Sequence, residues 1–159
     1  MHHDAANILI VDDRYENLFA TEAVLKSLPA QIFTAASGAA ALSLMLEHSF
    51  AVVILDVQMP IMDGFETASR MQENESMRGT PIIFATAISK EEKYASRASE
   101  IGAVDYIFKP INPDILRSKV KVYLDLYVQR EEIMKLNTVL RQSNDELEKF
   151  AYICSHDLK

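Results

Sequence analysis

Short apolar runs alternate with helical patterns along the chain. NILIV (7–11), AQIFTA (30–35), AVVIL (51–55), IIFAT (82–86) and VDYIF (104–108) are rich in β-branched and aromatic residues and predict strands. Between them lie stretches with helical spacing. The first covers 16–28, with Leu18, Val24, Leu25 and Leu28 repeating at that spacing; the second is GAAALSLMLEH, with Ser37 placed to cap it. A third runs from Gly64 to Gln72, and a fourth, KEEKYASRASEI (90–101), closes at Gly102. Strict alternation predicts a parallel sheet with helices on both faces, because parallel neighbours need a crossover and the helices supply it. The strands are continuously apolar, as burial from both sides requires. The crossovers are expected to be right-handed.

The pattern changes after the fifth strand. Pro110 and Pro113 bracket a turn, and from there to Lys159 no further proline or glycine interrupts the chain. A helix that only covers a sheet needs ~10–15 residues, so this one is predicted to outrun the domain. Beyond Leu126 the apolar positions become heptad-like: Ile133, Leu136, Leu140, Leu147, Phe150 and Cys154, with Ser143 as a polar interruption. The flanks are charged, among them Arg130, Glu131, Glu132, Lys135, Arg141, Asp145 and Glu146. Such a stripe wants a partner helix, and residues 126–159 are expected to pair two copies in parallel as a coiled coil. A solvated helix without a fixed partner is the plainer alternative. The boundaries follow: a globular domain over 6–125 and a coiled-coil linker helix over 126–159.

The strand ends carry the chemistry. Strand 1 ends in Asp12-Asp13 and strand 3 in Asp56. In an open parallel α/β sheet, ligands bind outside the carboxyl ends of the strands, at a switch point in strand order. If strands 1 and 3 are neighbours, three carboxylates converge there and repel one another unless a positive group sits among them. A hard divalent cation meets that need: Mg²⁺, or Mn²⁺ in its place, takes oxygen ligands from a carboxylate or two and from phosphate. Strand 4 ends in Thr86, a hydroxyl, and strand 5 in Lys109-Pro110, an ammonium. Carboxylates, cation, hydroxyl and lysine are what phosphoryl transfer asks for, with Asp56 as nucleophile.

Taken singly, each residue has a plainer use. Asp13 would cap the first helix, Asp56 would be a turn residue before QMP, and Lys109 would be a surface lysine. Thr86 would be a helix cap, and Asp63-Gly64 is an ordinary turn signal. Their common placement at the same end of different strands favours a site. A phosphatase with an aspartate nucleophile would carry a second aspartate two positions on, where this chain has Gln58. A flavin carrier would need a hydroxyl- or glycine-rich loop after strand 1, where Asp12 and Asp13 would repel the flavin phosphate.

Composition narrows the classes further. The net charge of −7 argues against a nucleic-acid partner. The longest apolar run, FAVVIL, is far short of the ~18 residues of a membrane span. No secretory signal is read at the start, and a single cysteine, Cys154, suits a reducing cytoplasm. Only four glycines are present and none of the phosphate-loop spacings occurs, which argues against a glycine-rich phosphate loop.

The stretches ILIVDD, VVILDVQMPIMDGFE, PIIFATA and GAVDYIFKPI, in this order, resemble a bacterial response-regulator receiver domain over residues 6–125. The resemblance implies a flavodoxin-like doubly wound (βα)5 sheet with strand order 2-1-3-4-5. It implies that Asp56 accepts the phosphoryl group. Asp12, Asp13, Asp56 and the backbone carbonyl of Gln58 would bind Mg²⁺. Lys109 would contact the phosphoryl group, before a cis bond to Pro110. Thr86 would be the switch hydroxyl and Tyr106 the aromatic that follows it inward; plain half-buried packing is the alternative for Tyr106. Gln58 and Ile88 would tune the phosphate lifetime. The donor would be a histidine kinase or a phosphotransfer protein.

The tail, SNDELEKFAYICSHDLK, resembles the first helix of a histidine-kinase dimerisation and phosphoacceptor domain. That resemblance makes His156 the phosphoacceptor and Asp157 its acid/base neighbour; an exposed histidine on a helix end is the alternative. His156 lies two residues past the Cys154 seam position and is expected to face outward. A neutral imidazole nitrogen can attack phosphorus while a carboxylate holds its tautomer. The resemblance implies the N-terminal part of a sensor kinase, without kinase activity of its own because no ATP-binding boxes are present. Other roles, a phosphate sink or a binding adaptor, remain open on the sequence.

Overall fold

A computed structural model describes residues 5–87 and 105–157. The helix expected over 90–101, its closing Gly102 and Ile88 lie outside the described residues. The chain forms two compact units, Met1–Leu124 and Asp125–Lys159.

The first unit is built on five strands: β1 (Ala6–Val11), β2 (Ala30–Ala35), β3 (Val52–Asp56), β4 (Ile82–Ala87) and β5 (Asp105–Lys109). They pair in the order β2-β1-β3-β4-β5, and every pairing is parallel. This is the doubly wound order that the resemblance implies. Several boundaries move by one residue, and among them Asp56 and Lys109 become the last residues of their strands rather than the first of the loops.

Among the described residues three helices connect the strands: α1 (Tyr15–Leu25), α2 (Gly38–Glu47) and α3 (Gly64–Glu73). Helix α1 stops short of the expected Leu28. Pro29 disfavours helical backbone at the residue before it, and the chain closes with a turn, Leu28 N–H to the Leu25 carbonyl, at 3.0 Å. Ser37 caps α2 as expected, its hydroxyl accepting from Ala40 N–H at 3.1 Å. Asp63 caps α3 in the same way, accepting from Glu66 N–H at 2.8 Å. Asp63-Gly64 is thus a helix start as well as a turn.

Alternation along the strands sorts the core into two layers. Leu9, Val11, Val53, Leu55, Ile82 and Phe84 pack with Ala41 and Met45 of α2 and with Phe65, Ala68 and Met71 of α3. The alternate residues Ile8, Ile10, Val52, Ile54, Ile83 and Ile107 point to the other face and are also buried. Leu18 and Leu25 of α1 are buried too, as are Leu116 and Val120 at the start of the last helix.

That last helix runs unbroken over Pro113–Asp157. Its first turns, to Leu124, belong to the first unit. In the second unit every described residue over 125–155 is exposed except Tyr127, which is half-buried. Ile133, Leu136, Leu140, Leu147 and Phe150 each leave more than half of their surface to solvent. Among the described residues no helix is long and apolar enough to cross a membrane.

Candidate functional site

Asp12, Asp56 and Lys109 come from three different strand ends, and alternation places all three on one side of the sheet. Asp12 follows Ile8 and Ile10 in parity, Asp56 follows Val52 and Ile54, and Lys109 follows Ile107. Strand order makes β1 and β3 direct neighbours, so the two aspartates meet. Carboxylate oxygens of Asp12, Asp13 and Asp56 lie within 4.8 Å of one another. Asp12 and Asp56 are buried, at 6% and 5% exposure, while Asp13 is exposed.

Lys109 bridges the pair. Its Nζ lies 3.3 Å from Asp12 Oδ2 and 3.1 Å from Asp56 Oδ1. Burial pushes the Asp56 carboxyl above its ordinary range; the Lys109 ammonium opposes that shift and the Asp12 charge adds to it. The Gln58 N–H also donates to Asp56 Oδ1, at 3.4 Å. The turn role weighed for Asp56 is therefore present as well, without displacing it from the cluster. The capping role weighed for Asp13 is not seen: the residue at the start of α1 is Arg14, with no side-chain cap.

Among the described residues, three carboxylates against one paired ammonium leave an excess of negative charge. An all-oxygen donor set with that excess fits a hard divalent cation, Mg²⁺ or Mn²⁺, better than a softer metal. The Gln58 side chain is exposed, and what that residue can bring to the cluster is its backbone.

Thr86 and Tyr106 stand on the opposite parity, with Phe84. Thr86 is buried at the end of β4, and its hydroxyl donates to the Ala87 carbonyl at a long 3.4 Å. Tyr106 is half-buried against the core, its ring centroid 5.8 Å from that of Phe84. The bond between Lys109 and Pro110 is cis. His156 and Asp157 lie on the last helix, and their side chains are outside the described residues.

Two contributors were not read from the sequence. Asp12 Oδ1 accepts from Arg14 N–H at 2.9 Å and from Asn17 Nδ2 at 3.3 Å. The spacing from Asp12 to Asn17, within the first turn of a predicted helix, was the available signal. Gly64 is the other: a Cβ there would collide with the Asp56 carbonyl oxygen, so α3 can begin against the end of β3 only without a side chain.

The chain matches the response regulator receiver domain family over residues 8–121. It is 33% identical over 144 residues to a "Probable cyclic di-GMP phosphodiesterase" of Vibrio cholerae, covering 87% of this chain and 32% of that protein. It is 38% identical over 117 residues to the virulence sensor protein BvgS of Bordetella pertussis, covering 71% of this chain and 10% of that one. The chain thus spans a third or less of these relatives. Among solved structures it resembles the chemotaxis protein CheY4 of Vibrio cholerae, with TM-score 0.70, 30% identity, and coverage of 75% of this chain and 98% of that one. The fold, the strand order and the acidic cluster agree with these likenesses, and the chain belongs to the receiver domain family of two-component signalling.

Proposed function

We propose that Asp56 accepts a phosphoryl group from a histidine donor and that the change is passed along the last helix to a paired helix in a second copy. The observation that carries the first half is the convergence of Asp12, Asp13 and Asp56, with Lys109 bridging two of them. An Asp56 carboxylate oxygen attacks phosphorus. The O–P bond forms as the donor's N–P bond breaks, and the released imidazole takes up a proton. Lys109 is placed to offset charge on the phosphoryl oxygens. Asp12, Asp13, Asp56 and the Gln58 carbonyl would hold Mg²⁺ or Mn²⁺, which when bound supplies positive charge to the same oxygens. Family members in general bind Mg²⁺ at such an acidic pocket and take phosphate from histidine kinases or phosphotransfer proteins.

The phosphoryl group brings negative charge and strong acceptors to one point. Thr86, whose hydroxyl donates to the Ala87 carbonyl over a long 3.4 Å, gains a better acceptor. Tyr106, packed on Phe84 on the same sheet face, then follows into the space behind it. Residues 126–159 pair two copies, as the exposed heptad stripe supports, and His156 with Asp157 forms a histidine phosphoacceptor on that helix.

The likeness to the Vibrio cholerae phosphodiesterase supports a second reading. It extends over 144 residues, beyond the length of the family match, so part of the helix is shared with a protein of different output. On that reading the helix drives some other effector, and His156 is an ordinary exposed residue.

Intact mass after incubation with a small phosphodonor and Mg²⁺ tests the first half. A single phosphoryl adduct is expected on the parent and none on Asp56→Asn or with the metal chelated. Radiolabel on His156 from a partner kinase catalytic domain, lost in His156→Gln, separates the two readings of the tail.

A further inference from the structure

We propose that Asn17 is a positioning residue for the cation site, fixing which oxygen of Asp12 faces the cluster. Each carboxylate oxygen offers about two acceptor directions. For Asp12 Oδ1 both are taken, by Arg14 N–H at 2.9 Å and Asn17 Nδ2 at 3.3 Å. Oδ2 is left for Lys109, at 3.3 Å, whose Nζ also meets Asp56 Oδ1 at 3.1 Å. The carboxylate is held from behind by the first turn of α1 and presents one oxygen forward.

The helix makes this hold rigid. Asn17 is the third residue of α1, followed directly by Leu18, which is buried and anchors that turn to the core. Asn17 itself is half-buried and lines a cleft of about 390 Å³ with Asp12, Thr21, Lys109 and Ile111. Its carboxamide serves a buried carboxylate outside the helix, which is the pattern of a residue serving a site. Partners that orient metal-ligating carboxylates typically account for 10- to 100-fold in metal affinity.

This inference rests on the reading of Asp12 as part of a cation site, and the test separates the two. Mg²⁺ binding is measured by titration calorimetry on the parent, Asn17→Ala, Asn17→Ser, Asn17→Gln and the exposed neighbour control Glu16→Ala. The Mg²⁺ dissociation constant is expected to rise ~10-fold in Asn17→Ala and Asn17→Ser, to recover in part in Asn17→Gln, which keeps the carboxamide, and to stay unchanged in Glu16→Ala. In phosphorylation assays the half-saturating Mg²⁺ concentration should rise by the same factor, with the rate at saturating Mg²⁺ unchanged. Equal constants for the parent and either loss-of-amide variant overturn the role of Asn17. A parent that binds no Mg²⁺ overturns the cation site itself. If Asn17→Ala does not fold, Asn17→Ser decides the matter alone.

Discussion

Leu116 and Leu140 are the same residue on the same helix, yet one is fully buried and the other 58% exposed. The contrast extends to the units that hold them. At the strand ends of the first unit, position is set several times over: Asp12 answers to Arg14, Asn17 and Lys109, and Asp56 to Lys109 and Gln58. Over 125–155 the side chains are nearly all in solvent, and backbone bonds with local propensity set the helix. A site determined by its own chain can be read without a partner. An exposed apolar stripe records only that something is to cover it.

The sharpest way to break the comparison is at Asp56. Asp56→Asn is expected to remove the phosphoryl adduct completely, because an amide oxygen is not the nucleophile, while the far helix stays as helical by circular dichroism. An adduct on the variant, located elsewhere by peptide mapping, would move the chemistry out of the cluster. Lys109→Met is expected to slow phosphorylation by roughly 10²-fold, the usual scale for losing one preorganised positive group. Single-turnover rates at saturating phosphodonor would measure it.

The two leucines give a matched pair. Leu116→Ala should lower the unfolding free energy by about 2–5 kcal/mol, since it empties a packed position. Leu140→Ala should change it by less than about 0.5 kcal/mol at dilution where copies are separate. If residues 126–159 pair, Leu140→Ala should instead weaken association, by roughly 10²- to 10⁴-fold, since each copy loses one leucine whose burial is worth about 1.5–3 kcal/mol. Urea unfolding of both variants and sedimentation at several concentrations decide it. Equal destabilisation by the two would mean that the stripe is already packed against its own chain.

The same difference explains what was legible in the sequence. Alternation and apolar runs predict the parallel sheet, whereas the strand order, and with it the convergence at the strand ends, came with the resemblance to receiver domains; the structure shows all three. Asp56 and Lys109 lie within their strands, which pairing with Ala85 and Ala87 explains and an apolar run alone does not reveal. Asn17 escaped notice because its use is a bond across a turn to a residue outside the helix, which no periodicity records. The end of α1 escaped because Pro29 acts on the residue before it, against an apolar spacing that runs on to Leu28. For the last helix, the sequence shows a stripe and the structure shows it exposed; a partner's identity is in neither pattern.

The smallest expected effect follows from the sign of the Asp56 shift. Burial raises its carboxyl above the unfolded value of 3.8, with Asp12 adding to the shift and Lys109 opposing it. The folded chain therefore holds that proton more tightly than the unfolded chain. Between the unfolded and folded values, stability falls as pH rises, and above the folded value the full cost of the buried charge is present. Without metal, Asp56→Asn removes that charge and should raise the thermal midpoint near neutral pH by a few degrees, the range in which ~1 kcal/mol moves a domain of this size. The advantage should shrink as pH is lowered through the raised value, where the parent carboxyl is itself neutral. Adding Mg²⁺ should stabilise the parent more than the variant, because ligand stabilisation scales with affinity and the variant lacks one anionic donor. Thermal melts of both proteins from acid to neutral pH, with chelator and with Mg²⁺, check each sign. A gap that widens on acidification would mean that Lys109, and not burial, governs the charge on Asp56.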